Sequence, residues 1–136
     1  MTIEDKELEK IKQKIVSDIM TANPNSNGVV KILKGSEIQE FVTENKFAII
    51  DFYATWCPPC KIMDPITRDL AGTYEGKVAF AKINTDQERE AAMKFQIRYV
   101  PTFYLFKDGE NVGHFSGAKK KKDFMEIIDK NFFKKE

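Results

Sequence analysis

The chain reads as an α/β domain on a mixed β-sheet, with an extra helix at its N-terminus. Three observations carry this. From Val29 onward, strand-like runs alternate with helical periodicities, which implies parallel strand pairs joined by crossovers. Near the C-terminus an Asp108-Gly109 hairpin signal between two apolar runs adds antiparallel strands. Finally, 136 residues, 42% of them hydrophobic, suffice for one packed core.

Taken in order, Thr2 to Met20 has the pattern of an amphipathic helix, with Leu8, Ile11, Ile15 and Ile19 three or four residues apart. The turn-rich linker Asn23 to Gly28 follows. These two make up residues 1–28, and the α/β domain is expected over 29–136. Val29 to Leu33 predicts a short strand. Ser36 predicts a helix start, with Gln39 placed for a capping box, and that helix turns Ile38, Phe41 and Val42 inward and ends near Asn45. Phe47 to Tyr53 is almost continuously apolar, as in a strand buried on both faces. A helix from Cys57 to about Tyr74 carries Ile62, Met63, Ile66 and Leu70 at helical spacing, with Pro65 expected to kink it. Lys77 to Asn84 predicts a strand and Glu88 to Phe95 a helix. Thr102 to Phe106 and Asn111 to Phe115 form the hairpin. Lys120 to about Phe133 predicts a last helix burying Phe124, Ile127, Ile128 and Phe132.

The net charge of +1 gives no reason to expect nucleic acid as a partner. No apolar stretch approaches the roughly 18 residues of a membrane span, and the charged start lacks the apolar core of a secretory signal. The expectation is a cytoplasmic protein. The four lysines from Lys119 to Lys122 read as a solvated face or a docking site for an acidic partner.

Both cysteines fall in Trp56-Cys57-Pro58-Pro59-Cys60, between an apolar strand and a helix. Positions i and i+3 share a helix face, so the two thiols can close a disulfide. So short a loop restricts the unfolded chain little and makes a poor staple. The pair is therefore expected to be made and broken. A strand delivering Cys57 to a helix start places its sulfur among unpaired N–H groups, which favour the attacking thiolate. Cys57 is then the nucleophile, and Cys60, one turn further in, resolves the mixed disulfide. Pro58 and Pro59 fit a first helical turn and stiffen it.

Asp51 is the odd residue of its strand. It is either a desolvated general base serving Cys60 or a partly exposed strand-end residue paired with a lysine. Lys82, on the next strand, is its expected charge partner and is counted with Cys57, Cys60 and Asp51 among the candidate catalytic residues. Trp56 is either core or an apolar rim facing substrate. A cis peptide at Val100–Pro101 fits a proline placed just before a strand. Structural zinc needs four ligands, and the chain offers Cys57, Cys60 and the single histidine, His114. No metal site is expected.

Together, Asp51-Phe52-Tyr53-Ala54-Thr55-Trp56-Cys57, Pro59-Cys60-Lys61, Pro65, Val78 to Asp86, Val100-Pro101-Thr102, Phe106 to Gly109 and Gly117 resemble the thioredoxin family, over about Val29 to Lys130. Acidification of a CxxC cysteine is a familiar property of that family. The resemblance implies helices on both faces of the sheet and a cis-proline loop opposite the dithiol. It implies Cys57 as attacking cysteine, Cys60 as resolving cysteine, and Asp51 as the buried acid coupled to Cys60 with Lys82 nearby. Trp56, Pro58, Pro59, Val100, Pro101, Gly117 and Ala118 are the substrate-binding residues it implies, the Val100 backbone pairing with a bound peptide.

The activity implied is reduction of protein disulfides with electrons from thioredoxin reductase and no bound cofactor. The alternatives are a disulfide oxidase or isomerase, or a non-catalytic partner-binding module. Pro58 stands where the family commonly has glycine, Tyr53 where tryptophan is common, and Tyr99 where glycine is frequent. Thr85 and Ser116 make the expected substrate groove more polar. The absence of histidine between the cysteines favours a reductase.

Overall fold

In this computed structural model, described over residues 23–134, the sheet is built outward from its most apolar strand. β1 (Lys31–Ile32), β2 (Phe47–Tyr53), β3 (Ala79–Asn84), β4 (Thr102–Lys107) and β5 (Glu110–Ser116) lie in the order β1-β3-β2-β4-β5. β3 runs parallel to both β1 and β2, whereas β4 is antiparallel to β2 and β5. β2 is therefore central, and Ala48 to Phe52 are all buried. The helices are α1 (Ile38–Glu44), α2 (Pro58–Thr73), α3 (Arg89–Lys94) and α4 (Lys121–Ile128).

Strand alternation divides the core in two. Ala48, Ile50 and Phe52 of β2 join Ala79, Ala81 and Ile83 of β3, Ile38, Phe41 and Val42 of α1 and Ala91 of α3. Ile49, Phe80, Phe103 and Leu105 pack instead with Met63 and Leu70 of α2 and Phe124 and Ile128 of α4. The same alternation places Asp51 beside Ile49 and Lys82 beside Phe80, both toward α2. Leu70 is fully buried, so Leu70→Ala is expected to cost about 3 kcal/mol of stability. Urea unfolding checks this, and a loss below about 1 kcal/mol would show that the site collapses to fill the cavity.

Several local expectations are corrected. The first strand shrinks from Val29–Leu33 to two residues on the sheet edge, where Val29 and Ile32 are exposed. The expected helix at Ser36 begins as a 3₁₀ turn over Gly35–Glu37. Glu37, not Gln39, reaches back to a cap, accepting the Lys34 N–H at 2.8 Å. A carboxylate makes the stronger acceptor, and Gln39 donates to Thr43 Oγ1 instead. Ile62 is exposed because the buried stripe of α2 runs through Cys60, Met63, Thr67, Leu70 and Ala71. Pro65 lies inside α2, as expected. The last helix ends in a wider π turn over Asp129–Phe133, which buries Phe132.

The hairpin turn has positive φ at both Asp108 (52°) and Gly109 (82°), the mirror-image geometry that matches strand twist. The turn segment after residue 22 is bonded to the sheet and α1. Asn23 Oδ1 accepts the Phe47 N–H at 3.1 Å, and the Asn25 N–H donates to Asn45 Oδ1 at 3.1 Å. The helix expected over Thr2 to Met20 lies outside the described residues.

Candidate functional site

β2 ends at Tyr53, and four residues later Cys57 caps α2. Its backbone is extended (φ −89°, ψ 115°), which turns the side chain back over the first helical turn. The Cys60 N–H donates to Cys57 Sγ at 3.2 Å, one of the orphan donors a helix start provides. With Pro58 and Pro59 at the first two helical positions, two other first-turn donors are absent from the outset. Both cysteines are free and buried. Their small cluster includes Ala54, with Tyr53 and Val100 packed against it.

The facing loop contains the cis Val100–Pro101 peptide. Its Val100 carbonyl lies 3.4 Å from Cys57 Sγ and accepts from the thiol. Pro101 is buried and its carbonyl accepts the Gly117 N–H at 2.9 Å. Gly117 has φ 89°, a conformation disfavoured by any side chain, and the space over its α-carbon is open. Ala118 beside it is exposed. Thr102 ties the loop to the sheet through Oγ1, which bonds the Tyr99 carbonyl at 2.5 Å and Ser116 Oγ at 2.7 Å.

Trp56 is not core. It is 67% exposed, and its indole N–H donates to Asp86 Oδ2 at 2.8 Å. Pro58 is exposed and Pro59 half-buried. Tyr99 is exposed as well.

Behind the dithiol, Asp51 is 4% exposed, and its Oδ1 has no hydrogen-bond partner. Burial pushes its carboxyl up to about 7; the Lys82 charge pulls the other way, and Asp64 adds to the rise. The partly exposed, lysine-paired reading of Asp51 is thereby excluded. Cys60 is pushed up to about 12, by burial first and then by its hydrogen bond to Cys57. The Cys57 and Asp51 charges act the same way, against a backbone bond to Ala54. A cavity of about 260 Å³ reaches these groups, lined among others by Asp51, Tyr53, Cys60, Asp64 and Lys82. That is ample for water to reach the buried carboxyl.

Lys82 is the registered neighbour of Asp51 across β2 and β3, but its ion pair is elsewhere. Its Nζ lies 3.4 Å from Asp64 Oδ1 and 5.1 Å from the centre of the Tyr53 ring. Among the described residues Asp51 has no ion pair. Asp64 is partly exposed, so an ion pair there is desolvated less than one at Asp51 would be. Sequence reading missed Asp64 and Asp86. Asp64 was within reach, since it follows Cys60 by four residues on one helix face.

His114 is exposed on β5 and stacks on Tyr104, with ring centres 5.2 Å apart. Among the described residues no group of three or more His, Cys, Asp or Glu side chains is arranged to hold a metal. No helix among them is long and apolar enough to cross a membrane. In the lysine run, Lys119 sits over the Phe115 ring and Lys121 pairs with Asp69 at 2.7 Å.

A family model described as Thioredoxin matches residues 29–130. The chain is 41% identical over 83 residues to a thioredoxin of Staphylococcus haemolyticus, covering 61% of this chain and 80% of the relative. To a thioredoxin of Staphylococcus epidermidis it is 39% identical over 88 residues, covering 65% and 85%. Among solved structures, a mutant thioredoxin from Halobacterium salinarum superposes with a TM-score of 0.75 at 30% identity, over 85% of this chain and 99% of that one. Plasmodium falciparum thioredoxin gives 0.69 at 32% identity, over 74% and 98%.

Proposed function

The chain belongs to the thioredoxin family and is a thiol–disulfide oxidoreductase, and from that premise we propose that Cys57 and Cys60 reduce protein disulfides in two exchanges. The observation that carries the assignment of roles is the Cys60 N–H aimed at Cys57 Sγ. Charge placed on that sulfur meets a fixed donor at the positive end of α2.

In the first exchange the Cys57 thiolate attacks one sulfur of a substrate disulfide. The substrate S–S bond breaks, a Cys57–substrate bond forms, and one substrate thiolate leaves. In the second, Cys60 gives its proton to the Asp51 carboxylate and attacks Cys57 Sγ. The Cys57–Cys60 bond closes and the second substrate sulfur departs as thiolate. Two electrons pass from the dithiol to the substrate, and the Asp51 proton returns to a leaving sulfur through the water-accessible cavity. A carboxyl near 7 suits this work, because a general acid–base is most effective near the operating pH.

Trp56, Pro58, Pro59, Val100, Pro101, Gly117 and Ala118 form the substrate face in this reading. The Val100 carbonyl exchanges its thiol partner for a backbone N–H of an extended peptide. Disulfide-containing proteins are the substrates, and thioredoxin reductase is the electron donor. The dithiol needs no bound cofactor. We place the protein in the cytoplasm, and the division into residues 1–28 and a catalytic domain over 29–136 belongs to the same proposal.

Purified protein is expected to accelerate dithiothreitol-driven precipitation of the insulin B chain. Inactivity in that assay would favour a non-catalytic binding module. A reduction potential more oxidising than roughly −200 mV would move the activity to the oxidase or isomerase class.

A further inference from the structure

We propose that Asp64 is a positioning residue of the dithiol centre. It anchors the Lys82 ammonium at the mouth of the cavity and so keeps it off the buried carboxylate that serves Cys60. The proposal rests on the reading that Asp51 takes the Cys60 proton.

The geometry behind it is a competition. Parallel register puts Asp51 and Lys82 side by side on adjacent strands, on the face toward α2. A lysine there has two carboxylates within reach of its flexible stem. It makes its ion pair with Asp64, at 3.4 Å, and leaves Asp51 Oδ1 without a partner. Asp64 is itself held by Arg68 one turn further along α2. The Tyr53 ring under Lys82 Nζ gives the ammonium a second reason to stay outside.

The groups around Asp51 can be followed element by element. β2 adds Tyr53, β3 adds Lys82, and α2 adds Cys60, Lys61 and Asp64 along the cavity, with Cys57 Sγ accepting the Cys60 N–H. β4 presents Phe103 opposite Asp51 and no charge. Lys82 is thus the charged group whose choice of partner changes most for Asp51. Were it to turn inward, the carboxylate would gain a counter-ion, hold its proton less readily and become a weaker base for Cys60. Asp64 acts in the opposite sense twice, by detaining Lys82 and by its own negative charge.

The test is an Asp64→Asn variant, with the Asp51 carboxyl followed by carbon NMR against pH in the oxidised protein, where neither thiol titrates. The Asp51 midpoint is expected to fall by about one pH unit. The acid limb of the resolution rate should move the same way. In a Lys82→Met background the same Asp64→Asn change is expected to move the midpoint by less than half as much, as a coupled pair requires. An unmoved midpoint in Asp64→Asn overturns the proposal. So does a shift of equal size in the Lys82→Met background, since Asp64 would then act without Lys82. If Asp51→Asn leaves the pH profile of resolution unchanged, the proton role of Asp51 falls, and the carboxyl titration still decides whether Asp64 anchors Lys82.

Discussion

A Cys57→Ser variant is expected to lose disulfide-reducing turnover by roughly a thousandfold or more, while Cys60→Ser carries out the first exchange and stops. The two outcomes differ because the sulfurs occupy different environments. Cys57 receives the Cys60 N–H and faces the cis-proline loop that would hold a peptide. Serine at position 57 keeps the cap but offers a hydroxyl that scarcely ionises near neutral pH. Cys60 lies one turn inside and is pushed up to about 12, so it stays protonated, and in the proposed second exchange it reacts only once Asp51 takes its proton. Cys60→Ser should therefore accumulate a one-to-one mixed disulfide through Cys57, visible on non-reducing gels and by mass spectrometry. Trapping through Cys60 in the Cys57→Ser protein, with none in the converse variant, would reverse the assignment.

What the sequence reveals follows the range of each signal. Phe47 to Tyr53 is predicted to the residue because an almost unbroken apolar run is a local property of a doubly buried strand. The Asp108-Gly109 turn is legible for the same reason, since two adjacent residues carry the backbone preference. The place of Cys57 at the mouth of α2 also rests on local order, strand then helix. The first strand is harder, because only contact with β3 decides how much of Val29 to Leu33 pairs.

Partner choice is the least legible feature. Lys82 was expected to serve Asp51 because they are neighbours on adjacent strands, and they are. Its ion pair goes to Asp64, on a different element, through a balance of desolvation and reach that exists only once α2 has packed on the sheet. Trp56 shows the same limit. An aromatic beside a thiol reads equally as core or rim, and the bond to Asp86, thirty residues away, belongs to the assembled surface.

Asp51→Asn is expected to make the protein more stable at pH 8, by roughly 4 kcal/mol less whatever the new amide loses for want of a partner. The folded carboxyl titrates near 7 against an ordinary value of 3.8, so the native state holds a proton that the unfolded chain releases. Stability from this group is complete below about pH 4, declines as pH rises, and is lost once pH passes about 7. Above that point the folded protein carries an ionised carboxylate in a site with an unpartnered oxygen. Asparagine removes the ionisation and with it the slope. Urea unfolding from pH 4 to pH 8 checks this: the two proteins should converge toward pH 4 and separate toward pH 8. Equal stability at pH 8 would show that the buried carboxyl is not strained by charge. The same variant should resolve its mixed disulfides more slowly, since the amide cannot take the Cys60 proton. A gain in stability coupled to a loss in the second exchange is the expected signature of a residue kept for chemistry at the expense of the fold.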